Sequence, residues 1–197
     1  MIPKRTAFFI FIILLAVVLA GCGQSSLSKA RELIDQANAH IEKANELDNE
    51  AEDIGKEIEA LPNDAAGDQD AIKLGEQLNE KSKSIEKEQK EALKLFKRGK
   101  RLDLPKDSKE YFELETKASE AAVDLSESLV ELTTLSLQLT EKIANGTLTQ
   151  EEFSSFEEKF MKLNEKITKE DEKHTTAEMT ADEFFKEKEI KKELERK

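Results

Sequence analysis

Apolar residues recur along most of this chain at alternating steps of three and four, which is the spacing of one face of an α-helix. The longest such stripe contains Tyr111, Leu114, Ala118, Ala121, Leu125, Leu129, Leu132, Leu135, Leu139 and Ile143. Charged residues make up 38% of the chain, so the remaining helix surface is strongly polar. Because an amphipathic helix must bury its stripe, we predict an all-α, elongated antiparallel helical bundle or coiled coil of three to four long helices.

Proline, glycine and asparagine mark the breaks between the predicted helices. The breaks hold Pro62 and Gly67, Pro105, and Asn145-Gly146. They divide the sequence into helices from Leu27 to Leu61, from about Gln69 to Arg101, from Asp107 to about Ala144, and from Thr149 onward. Connections this short favour antiparallel neighbours within one domain. Two hairpins joined end to end at Pro105 are an alternative, but each hairpin then leaves part of its stripe in water.

Short motifs predict where individual helices begin and end. Asp107 followed by Glu110 resembles a cap for the third helix, and Thr149 followed by Glu152 forms a capping box for the fourth. Asn145-Gly146 tolerates a left-handed backbone, so it predicts the end of the third helix.

Two irregularities interrupt the stripes. The steps from Ile41 to Ala44 to Leu47 are both three residues long, which breaks the heptad register and locally overwinds a coiled coil. After Ile167 the apolar signal fades, and a kink, fraying or disorder is expected around residues 168–182. A final helical piece is expected from about Ala181, with Phe184, Phe185, Ile190 and Leu194.

The first 21 residues have the organisation of a secretory signal. Lys4 and Arg5 precede the apolar run AFFIFIILLAVVLA, which is shorter than the roughly 20 residues that span a bilayer. The run ends in Leu19-Ala20-Gly21-Cys22, which resembles the lipobox of bacterial lipoproteins. The resemblance implies that a diacylglyceryl group, with fatty acids such as palmitate, is added to Cys22, and that the chain is cleaved between Gly21 and Cys22. An uncleaved signal anchor is the alternative.

These features predict the organisation of the whole chain. Residues 1–21 are a lipoprotein signal peptide, residues 22–26 hold the lipidated Cys22 and a short tether, and residues 27–197 form a single helical bundle domain. Two acyl chains are the least that anchor a protein lastingly, at about 0.8 kcal/mol per buried CH₂. Cys22 is therefore predicted to hold the chain on the extracytoplasmic face of the cell membrane.

Cysteine content and charge exclude several classes of protein. Cys22 is the only cysteine, so the predicted mature chain has neither a disulfide framework nor a thiolate metal site. Removal of residues 1–21 takes away Lys4 and Arg5 and no acidic residue, which leaves 29 basic and 43 acidic residues and a net charge of −14. Proteins that bind nucleic acids carry a basic footprint instead, so we predict no nucleic-acid partner.

The lipobox is followed by Lys- and Glu-rich helices, with LTQEEFSSFEEKFMKLNEKI opening the last hairpin arm. This arrangement resembles the helical lipoproteins of Gram-positive bacilli that are described as cell-wall-binding. The resemblance implies an envelope location and a wall-facing role, and it carries over no binding residues.

The helices show no arrangement typical of an active site or a metal centre. Nucleophilic catalysis needs an activated residue beside a base, and Cys22 is used by the lipid. His40 has no ligand spacing around it and is expected to be a partly exposed helical residue, while Asp171 and His174 share one helical face but form only one such pair. The many carboxylates are expected on solvated faces. We therefore predict no enzyme activity, no cofactor and no metal.

Three phenylalanines, Phe153, Phe156 and Phe160, give the fourth helix a narrow and bulky face. We predict that this face packs in the bundle against Leu129–Ile143, since its spacing is that of a buried stripe. A groove for an apolar ligand or a partner helix is the alternative.

A cluster of cations stands at the end of the second helix and comprises Lys94, Lys97, Arg98, Lys100 and Arg101. In an antiparallel bundle tethered at Cys22, the second helix and the Lys-containing tail EIKKELERK both return to the membrane. The cluster is therefore predicted to contact anionic lipid headgroups or wall polymer. The alternative is that these cations only complement the dipole of their own helix.

Together, these features predict a lipid-anchored, extracytoplasmic binding or scaffold protein of the bacterial cell envelope. Its predicted partners are the membrane, through the lipid, and a cell-wall polymer or an envelope protein. An alternative is a solute- or ion-binding lipoprotein that serves a transporter, which is disfavoured because the chain shows no clear strand pattern. An envelope enzyme is the least favoured class.

Overall fold

The computed structural model describes the backbone of residues 4–62 and 65–195 and the side chains of residues 26–62, 68–192 and 194. In this part of the chain there are four long helices, α1 (Lys4–Glu59), α2 (Ala65–Gly99), α3 (Lys106–Ala144) and α4 (Gln150–Glu187), and one short helix, α5 (Ile190–Glu195). The described residues form no strand. The predicted all-α helical bundle is therefore confirmed.

The long helices pack in chain order. α1 lies along α2, α2 along α3, and α3 along α4, while α5 contacts α1, α3 and α4. Among the described residues, no Cα of α1 comes within 8 Å of a Cα of α4. The bundle is thus open between its first and fourth helices. Because α2 packs along α3, the alternative of two hairpins joined end to end at Pro105 is excluded.

Ion pairs between neighbouring helices show that their order is antiparallel. The pairs are Lys43–Glu88 and Glu50–Lys81 between α1 and α2, Lys90–Glu127 and Lys97–Glu120 between α2 and α3, and Glu131–Lys166 and Asp124–Lys173 between α3 and α4. In each set, a step of seven residues forward on one helix matches a step of seven back on its neighbour. Apart from Lys43–Glu88, whose carboxylate is buried, these pairs are exposed and contribute only about 0.2–1 kcal/mol each, so they report the register more than they stabilise it.

The main apolar core lies at one end of the bundle, which we call the proximal end. It joins Ala30, Leu33, Ile34 and Ala37 of α1 to Ala92, Leu95 and Phe96 of α2, Tyr111 and Phe112 of α3, and Ile190 and Leu194 of α5. Phe96 and Phe112 are fully buried and meet edge to face, with ring centroids 6.3 Å apart. The opposite, distal end contains the turns after α1 and after α3.

The end of α3 and the beginning of α4 follow the predicted motifs. The N–H of Thr147 donates to the carbonyl of Lys142 at 3.0 Å, and the N–H of Gly146 donates to that of Ile143 at 2.9 Å. With Gly146 at φ +62°, these two bonds make a Schellman motif. At the start of α4, the Thr149 hydroxyl accepts from the Glu152 N–H, and the Glu152 carboxylate accepts from the Thr149 N–H. The predicted capping box is confirmed.

The predicted cap of α3 is wrong. The N-cap residue is Pro105, which makes no side-chain capping bond, and the helix begins at Lys106. Proline fixes its own φ, here at −51°, so the chain enters the helix before Asp107 can act as the cap. Asp107 instead lies in the first turn of α3, where the positive end of the helix dipole stabilises its negative charge.

Helix α4 is continuous through residues 168–182, so the loss of helix expected from fraying or disorder is not found there. Ala177 and Ala181 keep the inward spacing after Ile167, and Ala181 is fully buried. Lys173 also pairs with Asp124 of α3 at 2.9 Å. The break comes later, at Lys188 and Glu189, where Glu189 has a φ of +48°.

Candidate anionic-surface site

The predicted cation cluster lies at the proximal end, where α2 stops and the chain turns into α3. Lys94 pairs with Glu91 at 2.6 Å, and Lys97 pairs with Glu120 of α3 at 3.0 Å. Arg98, Lys100 and Arg101 are exposed and make no ion pair with any residue that the structure describes. The structure therefore leaves three of the five predicted cations free to meet a ligand.

Helix α3 adds cations that lie outside the predicted cluster in sequence. Its residues and the end of α2 enclose a surface depression of about 600 Å³. We call this depression the basic surface; its charged lining residues are Lys97, Lys100, Arg101, Lys109, Lys117, Glu113 and Glu120. Five cations thus meet two carboxylates, on a chain whose net charge is −12. Lys94 and Arg98 do not line the depression.

A close approach between two helices brings these cations together. Gly99 is the last residue of α2 and is buried, and a β-carbon at this position would lie 2.0 Å from Cε1 of Phe112 on α3. Leu102 and Leu104 in the following turn pack against the proximal core. Without a side chain at Gly99, α3 can fold back tightly along α2. The cations of both helices therefore share one surface.

The helix dipole accounts for only part of this arrangement. Cations in the last turn of α2, such as Lys97 and Arg98, are favoured by the partial negative charge at a helix C-terminus. Lys106 and Lys109 stand in the first turns of α3, where the dipole is positive and disfavours cations. The dipole of α3 therefore does not account for these two lysines. The positive end of α3 adds to the potential of the basic surface.

Gly21 and Cys22, the predicted cleavage and lipid sites, lie outside the residues whose side chains the structure describes. The nearest residues with described side chains follow from Ser26 in α1, and Leu27 packs against the proximal core. The chain therefore enters the bundle at the end that carries the basic surface.

The prediction that the carboxylates lie on solvated faces is wrong for Glu88. Its side chain is only 8% exposed, and it accepts from Lys43 Nζ at 2.7 Å and interacts with His40 Nδ1 at 2.5 Å. The hydrogen bonds from Lys43 and then His40 lower the pKa of Glu88. His40 is partly exposed, as predicted, but its partner on α2 could not be predicted from local spacing because the two residues are 48 positions apart.

A second carboxylate, Glu115, is also largely buried. Burial raises its pKa, the hydrogen bond from the Tyr111 hydroxyl opposes that shift, and the charges of Asp182 and Glu178 on α4 add to it. Burial and the nearby Glu115 likewise raise the pKa of Tyr111. This arrangement fixes Tyr111 beneath Phe185, with ring centroids 5.1 Å apart.

The remaining predicted features lie on α4. Phe156 is buried and Phe160 half-buried, as expected of a packed face, whereas Phe153 is 38% exposed. Asp171 and His174 line the same depression, between α1 and α4. Among the described residues, no group of three or more His, Cys, Asp or Glu side chains is arranged to hold a metal ion. The described helices also include none with the length and apolar character needed to cross a membrane.

Comparison of the chain with protein-family models, with curated proteins and with solved structures finds no match.

Proposed function

We propose that this chain is a lipid-anchored, extracytoplasmic protein of the bacterial cell envelope that acts by binding rather than by catalysis. The lipid on Cys22 tethers the proximal end to the membrane. The basic surface then contacts the anionic layer beside it, which is formed by lipid headgroups or wall polymer. In this role the bundle is a scaffold that extends from the membrane.

One observation carries the proposal: the basic surface lies at the same end of the bundle as Leu27 and Ala30 of α1, a few residues after Cys22. Cys22 precedes Ser26 by four residues, and four residues span at most about 14 Å in any conformation. A lipid on Cys22 thus keeps the proximal end close to the headgroups. Each Lys or Arg near an anionic membrane surface contributes about 1 kcal/mol of binding free energy.

Vesicle binding tests this proposal. The full chain with Cys22→Ser, which cannot be lipidated, is mixed with vesicles of phosphatidylglycerol and phosphatidylcholine or of phosphatidylcholine alone. Replacing the five cations of the basic surface with Gln is expected to weaken binding to the anionic vesicles more than about tenfold. All versions share residues 1–21, so any contribution from that segment is the same in each.

A matched control separates the basic surface from total charge. Five exposed lysines away from the basic surface, Lys56, Lys73, Lys83, Lys159 and Lys162, are replaced with Gln to give the same change in charge. This control is expected to bind like the unsubstituted chain. Equal losses in both variants, or no loss in either, contradict a role for the basic surface.

A further inference from the structure

A groove runs between α1 and α4 where the bundle is open, with α2 and α3 as its floor. It contains two depressions of about 230 Å³ and 150 Å³. The two share Asp48, Ile85, Ser126 and Leu129, so they form one continuous feature. Leu125 and Leu129 of α3 and Ile85 of α2 supply the apolar part of the floor, and Gln89 and Ser126 lie beside them as polar groups.

The dimensions of the groove suit side chains of a helix. Ala44 lines the larger depression and Ala51 the smaller one, and the two alanines are seven residues, or about 10 Å, apart along α1. Apolar side chains of a coiled-coil helix repeat at this distance and enter holes between the side chains of facing helices.

The acidic residues that line the groove favour a partner helix that carries positive charge. Among the described residues that line it, Asp48 of α1 and Asp171 of α4 are acidic, His174 of α4 is the one basic type, and none is Lys or Arg. Both aspartates are exposed. Asp48 occupies the heptad position that follows Leu27, Ile34 and Ile41, where the stripe of α1 calls for an apolar residue. Asp171 lies on the facing helix, α4, in the part of that helix where apolar residues become sparse after Ile167.

Helix α5 shows that a helix fits this seam. It lies against α1, α3 and α4 at the proximal end and buries Ile190 and Leu194, which are four residues apart. Its lysines, Lys191 and Lys192, face solvent. The groove continues the same seam toward the distal end, about 15 Å further along α1, as the ten residues from Ile34 to Ala44 imply.

We propose that the groove binds an amphipathic helix of a partner protein, with apolar residues at heptad spacing and Lys or Arg on its flanks. The apolar side chains enter the two depressions, and the flanking cations pair with Asp48 and Asp171. This interaction is independent of the basic surface and of the lipid.

Two synthetic peptides test the proposal against the full chain. Both have Leu at the first and fourth positions of three heptads; one carries Lys on the flanks and the other Gln. The Lys peptide, labelled for fluorescence anisotropy, is expected to bind. Replacing both Asp48 and Asp171 with Lys is expected to weaken its binding by about tenfold, because two attractions become repulsions. Reversing Asp53 and Glu165, exposed acids on the same helices outside the groove, controls for net charge and is expected to leave binding unchanged.

Photo-crosslinking locates the site of binding, and sedimentation tests whether the occupant is a second copy of this chain. A photo-crosslinker at a central Leu of the Lys peptide is expected to attach to Ile85, Leu125 or Leu129. Crosslinks elsewhere, failure of the Lys peptide to bind, tighter binding of the Gln peptide, or equal losses in the Asp48/Asp171 and control variants overturn the proposal. Sedimentation that shows a dimer joined through the groove also overturns it, because the occupant is then a second copy of this chain.

Discussion

Gly99 and Phe112 approach so closely that a β-carbon on Gly99 would lie 2.0 Å from Cε1 of the phenylalanine ring. Phe112 is fully buried, so the ring has no open space into which it can move. We expect Gly99→Ala to reduce the free energy of unfolding by about 1–3 kcal/mol through overpacking. Thermal and urea unfolding, followed by circular dichroism, measure the effect.

Gly55 provides the matched control for that substitution. It lies inside α1, and a β-carbon there would meet no atom within 4 Å. Gly55→Ala is therefore expected to stabilise the bundle by about 0.5–1 kcal/mol, because alanine loses less conformational entropy in a helix. Equal effects at the two glycines would show that the contact with Phe112 does not constrain the turn.

The buried carboxylate of Glu88 should make the free energy of unfolding depend on pH in the acidic range. Its pKa is lowered in the folded state, so its contribution is present above the unfolded-state value of 4.5 and is lost as the pH falls through the folded-state pKa. Glu88→Gln is expected to lower stability by about 1.5 kcal/mol at pH 7, because bonds to a charged group are lost. Urea titrations across pH 3–7 should show the two proteins converging at the acidic end; a constant difference would exclude the charge as the cause.

Glu115 is expected to give the opposite pH dependence, so that its contribution to stability is lost as the pH rises. Its pKa is raised by burial, so its neutral form stabilises the fold below pH 4.5 and that stability is lost as the pH rises through the folded-state pKa. Glu115→Gln keeps an acceptor for the Tyr111 hydroxyl and removes the buried charge. We expect a higher Tm than the unsubstituted chain at pH 7 and the same Tm at pH 4, measured by calorimetry. A lower Tm at pH 7 would contradict the assignment.

The capping box of α4 can be tested at a single carboxylate. Lys142, and then the backbone and side chain of Thr149, lower the pKa of Glu152 to about 2. Thr149→Ala is expected to cost about 1 kcal/mol of stability. It should also raise the pKa of Glu152, which NMR titration measures directly. An unchanged pKa would mean that Lys142 and the backbone N–H of residue 149, which the substitution retains, set its value without the hydroxyl.

Local signals predicted much of the fold because they act over a few residues. The Thr149–Glu152 box and the Gly146 turn depend on contacts three to five residues apart, and both were confirmed. The fading stripe after Ile167 predicts a kink, fraying or disorder, whereas the structure has a continuous helix there. Helix formation needs backbone bonds and some packing, and α4 obtains the latter from Ala181 and the Lys173–Asp124 pair.

The surfaces depend on residues that are distant in sequence, so periodicity could not reveal them. Lys109 and Lys117 join the cations of α2 only because Gly99 allows the tight turn. The groove had two separate signals, the broken register near Asp48 and the weak stripe around Asp171. Their juxtaposition follows from α1 and α4 lying on either side of α2 and α3, which no single stripe specifies.

Whether Cys22 carries a lipid decides whether the proximal end faces the membrane. The full-length gene product is isolated from the membranes of a bacterium that processes lipoproteins, and its mass and N-terminal peptide are measured by mass spectrometry. We predict a chain that begins at Cys22 and carries a diacylglyceryl thioether on that sulfur. A chain that retains residues 1–21 with an unmodified Cys22 thiol would contradict it.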